Sequence, residues 1–167
     1  DWVSSYIGHF MMEAERKGYA LPPGFKNKWI SYQKKAARNW KYYSPKYPRY
    51  YHGSHLTQAY RLYTLALAGS PEMGAMNRLR EYEYLSVSAR WRLAAAYALA
   101  GQPEAARSLT ANLTVDVEAY SNMSNRTWGT PLRDMAMILE TMVAMEEYDK
   151  AVPLVVKISK NLSSNRW

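Results

Sequence analysis

The segment Leu85–Leu109, LSVSARWRLAAAYALAGQPEAARSL, constrains the fold more than any other part of the chain. From Leu93 to Ala100 every residue is Leu, Ala or Tyr, so a helix here is apolar all the way round and must be buried on all sides. Gly101 suits the left-handed conformation that ends a helix, and Pro103 suits the first turn of the next one. The segment therefore predicts a helical hairpin with a short joint.

The same hairpin signal occurs 32 residues earlier in the chain, where Leu65–Glu72 (LALAGSPE) matches Tyr97–Glu104 (YALAGQPE). A period of this length carried by helix pairs is typical of stacked αα-hairpins. No segment shows the sustained period-two alternation of a half-buried strand. We therefore predict an all-α fold built from αα-hairpin repeats.

Two architectures fit such repeats, namely an open solenoid of the tetratricopeptide kind and a closed αα-toroid with small, apolar inner helices. The predicted inner helices are Leu56–Ala68, Ser88–Ala100 and Pro131–Glu146. We predict a long ordered loop at Tyr42–Ser54 and a polar, irregular segment at Asn112–Gly129. Because these connections are long and unequal, they favour part or all of an αα-toroid. We expect it to form a single domain or partial domain that spans all 167 residues.

Helix signals continue on both sides of the central hairpins. The predicted first helix, Val3–Lys17, carries one apolar stripe at spacings of three and four, which we expect to face the core. A further helix is predicted to begin at Pro71, with Ser70 as its cap, and to run to about Tyr84. The stripe of the first helix consists of Tyr6, Ile7, Phe10, Met11 and Ala14.

The composition sets limits on the class of protein. Hydrophobic residues make up 48% of the chain and charged residues 22%, which suits a folded domain. There is no apolar run of about 18 residues that would span a membrane. The chain has no cysteine, so no disulfide, thiolate nucleophile or cysteine metal site is expected within it. Because it begins at Asp1 rather than Met, we expect a piece of a longer, multidomain polypeptide.

Several passages of the chain resemble bacterial alpha-2-macroglobulins, and together they cover nearly its whole length. The most specific part is the block GAMNRLRE followed by ARWRLAAAYALAGQ. The matching residues in chain order are Tyr6–Ala14 (YIGHFMMEA) with Gly18, Tyr19 and Pro22, Gly74–Glu81, Leu85 and Ser86, Ala89–Gln102, Thr130 with Arg133 and Asp134, Leu139 and Glu140, and Leu162–Ser164 with Trp167.

The resemblance implies that this region is part of the thioester domain, an αα-toroid like that of complement proteins. Its parent would be a protease trap, in which an internal Cys–Gln thioester acylates an amine of the captured protease. The thioester cysteine would precede Asp1, and some members of the family lack the thioester. We therefore expect a contribution to protease inhibition without turnover of a substrate. The alternatives are a helical-repeat scaffold that binds a partner protein or peptide and, third, a carbohydrate-active αα-toroid.

The resemblance also implies the partners and the location of the protein. Through the full-length parent, the partners would be target proteases and the other domains of the same chain. The location would be the periplasm or the cell surface of a bacterium, as an envelope lipoprotein. Any membrane anchor would lie in a segment that precedes Asp1. If the ring is incomplete, an exposed apolar edge would also support dimerisation.

Two histidines are candidates for assisting acyl transfer from a thioester, a role that the resemblance to complement-like relatives implies. They are His52 and His55, in the predicted loop before the Leu56–Ala68 helix. The structural alternative, which we favour, is that this HGSH sequence forms a loop and helix cap with Ser54 as the capping residue. We expect His9 to pack beside Phe10, and we predict neither a catalytic residue of the chain's own, nor a metal site, nor a cofactor.

The stretch between Glu15 and Glu72 contains no acidic residue but eleven Lys or Arg, interleaved with Trp and Tyr. Basic and aromatic residues together can bind nucleic acid, but lysines on an outer helix give the same pattern. We favour the second interpretation and predict no nucleic-acid partner. The candidate acids for a glycosidase pair are Glu81, Glu83, Glu104, Glu118, Asp134, Glu140, Glu146 and Glu147. We expect capping and ion pairing to account for most of them.

Overall fold

The computed structural model describes residues 2–41, 51–83, 85–116 and 129–162, with the backbone alone for 51–54 and 162. These residues form eight helices and no strand, which confirms the predicted all-α class. The helices are α1 (Trp2–Arg16), α2 (Phe25–Asn39), α3 (Tyr51–Leu67), α4 (Met73–Arg80), α5 (Val87–Leu99), α6 (Pro103–Thr110), α7 (Pro131–Ala144) and α8 (Tyr148–Leu162).

The odd-numbered helices form an inner row in which α1 packs on α3, α3 on α5, and α5 on α7. The even-numbered helices pack on the outside of this row, α2 and α4 against α3, α6 against α5 and α8 against α7. Ser88 of α5 bonds to Asp134 of α7, and Arg92, one turn later, bonds to Glu140, so the two inner helices are parallel. This is the arrangement of inner and return helices that an αα-toroid requires.

The α5 helix lies at the centre of the core, as its composition predicts. Its residues Leu93–Ala96 have no exposed surface at all, and Tyr97 is 1% exposed. Small side chains allow the facing helix α3 to approach closely, and Ala59 and Leu62 on that helix are also fully buried. The run Leu93–Tyr97 is therefore covered on every face. The expected burial on all sides is wrong for the end of the helix, where Leu99 is 39% exposed.

All four inner helices end in the same motif, with a left-handed residue directly after the last helical turn. The next N–H then donates to the carbonyl five residues earlier, for example from Gln102 to Tyr97 and from Glu147 to Met142, each at 2.9 Å. The repeat therefore includes more hairpins in the structure than in the sequence, since the first and last hairpins share the motif without sharing the sequence match. The left-handed residues are Gly18 (φ 88°), Gly69 (φ 70°), Gly101 (φ 72°) and Glu146 (φ 60°).

The predicted inward stripe of α1 is wrong, because most of these side chains point away from the core. Tyr6 is 62% exposed and Phe10 is 66% exposed, whereas the buried residues of α1 are Ser5, Gly8 and Met12. The reason is the indole of Trp29, which packs directly on α1. A Cβ at position 8 would lie 2.0 Å from this ring, so only the face with glycine can approach it.

Two predicted helix starts also need correction. α3 begins at Tyr51 rather than Leu56, so His52 and His55 lie within a helix and Ser54 is not its cap. A glycine inside a helix costs only about 1 kcal/mol, which the burial of His55 and Leu56 can offset, so Gly53 does not end the helix. α4 is Met73–Arg80, shorter at both ends than predicted.

The remaining part of the predicted loop, residues 42–50, lies outside the described residues, as does most of the predicted irregular segment. Among the described helices, none is both long enough and apolar enough to cross a membrane.

Candidate functional site

Side chains from all four inner helices meet at one place, which we call the inner-helix cluster. α1 contributes His9, α3 contributes Tyr60 and Tyr63, α5 contributes Arg92 and α7 contributes Glu140. These positions are up to 131 residues apart in the chain. The hairpin repeat brings them together because it places each of them on an inner helix.

The charge at the centre of the cluster is Arg92, which is only 1% exposed. Its Nη1 donates to Oε2 of Glu140 at 2.6 Å. The guanidinium carbon lies 4.2 Å from the centre of the Tyr63 ring and 5.6 Å from that of Tyr60. A buried cation is costly unless it is paired and hydrogen-bonded, and here one carboxylate and two aromatic faces provide that pairing.

His9 connects α1 to the neighbouring helix α3 and also to α7. Its Nδ1 lies 2.9 Å from the Tyr60 hydroxyl and its Nε2 lies 3.5 Å from Oε1 of Glu140. The ring also meets Tyr60 and Tyr63 edge-on. The prediction that this histidine packs beside Phe10 is therefore wrong, because Phe10 points to the other side of the helix and is 66% exposed.

The environment fixes the charge states within the cluster. Burial by itself raises the pKa of Glu140, but the adjacent Arg92 guanidinium outweighs it, and the pKa is lowered overall. Burial lowers the pKa of His9 and raises the pKa of Tyr60 and Tyr63. At neutral pH the cluster thus contains one ion pair surrounded by neutral rings. This arrangement joins the four inner helices.

A second polar contact ties the amino-terminal turns of α5 and α7. Asp134 is 1% exposed and accepts hydrogen bonds from Ser88 Oγ at 2.6 Å and from Arg133 Nε at 2.8 Å. The Arg133 guanidinium also lies 4.9 Å from the Trp2 ring on α1. Asp134 and Glu140 are thus each paired with an arginine. The pKa of Glu140 is lowered overall despite its burial, which disfavours Glu140 as the general acid of a glycosidase, since that acid needs a raised pKa.

Of the two candidate histidines, His52 and His55, only the side chain of His55 lies within the described residues. His55 is 2% exposed, and its ring meets Tyr82 at 4.3 Å and Trp40 at 6.1 Å between ring centres. A shallow cavity outside this aromatic contact is lined by Trp40, Arg78, Glu81 and Tyr82. The side chain of His52 lies outside the described residues. The assisting role of both histidines therefore stays a prediction.

Metal ligation finds no support in the described ranges, where no group of three or more His, Asp or Glu side chains could hold an ion.

The inner-helix cluster was not predicted from the sequence, although one signal for it was present. Arg92 stands between Trp91 and the apolar run that begins at Leu93, and a charged residue in such a buried stretch needs a partner of opposite charge from elsewhere in the fold.

Solved structures with the same fold come from bacterial alpha-2-macroglobulins. Native alpha-2-macroglobulin from Escherichia coli, spanning domain MG7 to the C-terminus, matches 99% of this chain with a TM-score of 0.81 and 20% identity. The fold is that of a bacterial alpha-2-macroglobulin region. The match confirms the resemblance that the sequence shows, and it covers 27% of the E. coli chain.

Two further alpha-2-macroglobulin structures give the same result. The E. coli protein activated by porcine elastase matches 99% of this chain with a TM-score of 0.81 and 18% identity, over 15% of its own length. The Salmonella protein reacted with methylamine matches 99% with a TM-score of 0.79 and 20% identity, over 11% of its length. No protein-family profile and no curated protein sequence matches the chain.

Proposed function

We propose that this chain is part of the thioester-type domain of a bacterial alpha-2-macroglobulin-like protease inhibitor. The observation that carries the proposal is the agreement in fold over 99% of the chain with alpha-2-macroglobulins of E. coli and Salmonella. In this role the chain is a scaffold and does not turn over a substrate. The inner-helix cluster suits that role, since its ion pair joins α5 to α7 and the contacts of His9 and the tyrosines add α1 and α3.

The reaction in the parent would be an acyl transfer. A lysine amine of the captured protease attacks the thioester carbonyl, an amide bond forms, the carbon–sulfur bond breaks, and the released thiolate takes up a proton. Methylamine, with which the Salmonella protein was reacted, is a small amine nucleophile of the same kind. Its reaction with the parent of this chain would report on the thioester directly.

The outer edges of the helix row support the proposal that further protein covers it. α1 exposes Val3, Tyr6, Ile7 and Phe10 at helical spacing, between 46% and 66% of each side chain. α8, at the other edge, exposes four residues in the same way, between 47% and 60%. We propose that other parts of the parent pack on both edges, and that a dimer forms where they are absent. The α8 residues are Tyr148, Val152, Val155 and Val156.

The test begins with the sequence that precedes Asp1, which should contain a Cys-x-Glu-Gln motif. Methylamine should then release one titratable thiol per full-length molecule. A parent with the motif cysteine replaced by serine is the matched control and should release none. If the full-length protein releases no thiol, the covalent mechanism is wrong. A trypsin-type protease should also form a denaturant-resistant adduct with the parent but not with the serine variant.

The histidines enter this proposal as assisting groups for acyl transfer. Because His55 is 2% exposed, an acyl group can reach it only if its contact with Trp40 and Tyr82 opens. Rates of amine acylation should be compared in the parent and in its His52→Gln and His55→Gln variants. Unchanged rates in both would remove the assisting role and leave the scaffold proposal intact. The proposed periplasmic or surface location is tested separately, by cell fractionation.

A further inference from the structure

One buried charge has no charged partner in the described part of the chain. Arg61, on the second half of α3, is 6% exposed. Its Nε donates to Oε1 of Gln33 at 3.0 Å and its Nη1 donates to Oε1 of Gln58 at 2.6 Å. Both partners are neutral amides, so the positive charge is solvated but not balanced.

The other two charged residues that are buried this deeply each have a partner of opposite charge. Arg92 is paired with Glu140, and Asp134 is paired with Arg133. Arg61 makes no ion pair within the described ranges. The sequence gives the reason, since neither α2 nor α3 contains a single Asp or Glu.

The guanidinium is held in a fixed orientation. The amide nitrogen of Gln33 donates to Oγ of Ser4, and that of Gln58 donates to the carbonyl oxygen of Ala37, each at 3.1 Å. These bonds turn both amide oxygens toward Arg61 and leave its Nη2 without a described partner. Arg61 keeps 6% of its surface exposed, and Nη2 is the guanidinium nitrogen with no acceptor in the described part of the chain. A donor that is held in place and open on one side is suited to an external acceptor.

The surroundings favour an anion. On α2, Tyr32 directly precedes the Arg61 partner Gln33 and is 53% exposed. Lys28 and Lys35 lie on the same outer face of α2 and are exposed. An uncompensated buried cation costs several kcal/mol, and a bound anion would offset this cost.

We propose that Arg61 is the anchor of an oxyanion-binding site at the surface between α2 and α3, which takes a carboxylate or a phosphate-type group. The oxyanion accepts from Nη2 beside α2, and the exposed Lys28 and Lys35 on the outer face of α2 add to the positive potential around it. Its source is either an acidic side chain of a protein segment that packs here or a free phosphate-type anion. This inference does not depend on the proposed function, and a site would exist whether or not the parent forms a thioester.

The test measures thermal unfolding of the chain in sodium phosphate and in N-acetylglutamate amide, each against sodium chloride at the same ionic strength. At ten times Kd, binding shifts the folding equilibrium about elevenfold, which raises the melting temperature by about 3–6 °C. A response to phosphate alone assigns a free phosphate-type anion. A response to the carboxylate assigns an acidic side chain. Equal curves in all three salts would overturn the proposal.

Two variants that each remove one positive charge distinguish anion binding at Arg61 from general attraction of anions to a basic protein. Arg61→Gln should lose the anion response. Lys17→Gln changes an exposed lysine in the turn after α1 and should keep the response. Loss of the response in both would overturn the site. A third measurement, by NMR, uses the unchanged chain and therefore does not depend on how the variants fold. The side-chain N–H resonance of Arg61 should move with phosphate and saturate, and an unmoved resonance would contradict the site.

Discussion

Removal of the charge on Glu140 should strongly destabilise the fold, because it leaves Arg92 buried without a counter-charge. Loss of one partner of a buried pair costs about 3–5 kcal/mol. Arg92 is 1% exposed, but the Glu140 side chain is 38% exposed, so water replaces part of the lost interaction. For Glu140→Gln we therefore expect the lower end of the range, about 3 kcal/mol. In a chain of this length that lowers the melting temperature by about 6–12 °C.

The assay is urea unfolding monitored by circular dichroism. It compares Glu140→Gln with two further variants. Glu104→Gln breaks an ion pair with Arg107 in which the carboxylate is 87% exposed, so its effect should be at most about 0.5 kcal/mol. The double variant Arg92→Met with Glu140→Leu removes both charges and should regain at least half of the loss. Equal losses in the two glutamine variants, or a double variant less stable than Glu140→Gln, would refute the reasoning.

Three further predictions concern single positions. Ala96 has no exposed surface, so Ala96→Glu buries an unpaired carboxylate and should abolish the cooperative melt; a retained melt would contradict its placement. Glu146 adopts φ 60° at a position where the other inner helices use glycine. In urea titrations, Glu146→Gly should therefore stabilise the chain by about 1 kcal/mol, and Gly101→Ala should destabilise it by about as much. If both variants shift the stability in the same direction, this explanation is wrong. The pKa of His9 is lowered below its ordinary value of 6.5, so the unfolded state binds the proton more readily, and stability should fall as the pH drops through 6.5. His9→Gln should have a shallower pH dependence from 7.5 to 5.5, and identical slopes would exclude the effect.

The features that the sequence predicted well depend on local signals. Gly69 and Gly101 mark the ends of α3 and α5, because glycine adopts the left-handed conformation without strain. The matching end of α7 carries Glu146, which gives no such signal, although the backbone there is the same. The burial of Leu93–Ala96 also follows from composition alone, since an all-apolar helix has no face for water.

The features that were missed depend on contacts between distant parts of the chain. Arg92 and Glu140 are 48 residues apart, and no local pattern pairs them. The apolar stripe of α1 is a regular one, but its direction was set by Trp29, which fits only against Gly8. The family resemblance indicated the fold but not these contacts, which decide how the inner helices are held together.

The way in which α1 is attached has a consequence for the motions of the native chain. This helix buries Ser5, Gly8 and Met12 and packs Trp2 on the core, but it turns Tyr6, Ile7 and Phe10 outward. Fewer apolar contacts therefore resist its detachment than hold α5 in place. Its backbone amides should exchange with deuterium through local opening. The amides of Leu93–Tyr97 should exchange only when the whole chain unfolds. The protection pattern would thus separate a slowly exchanging centre from a first helix that opens on its own.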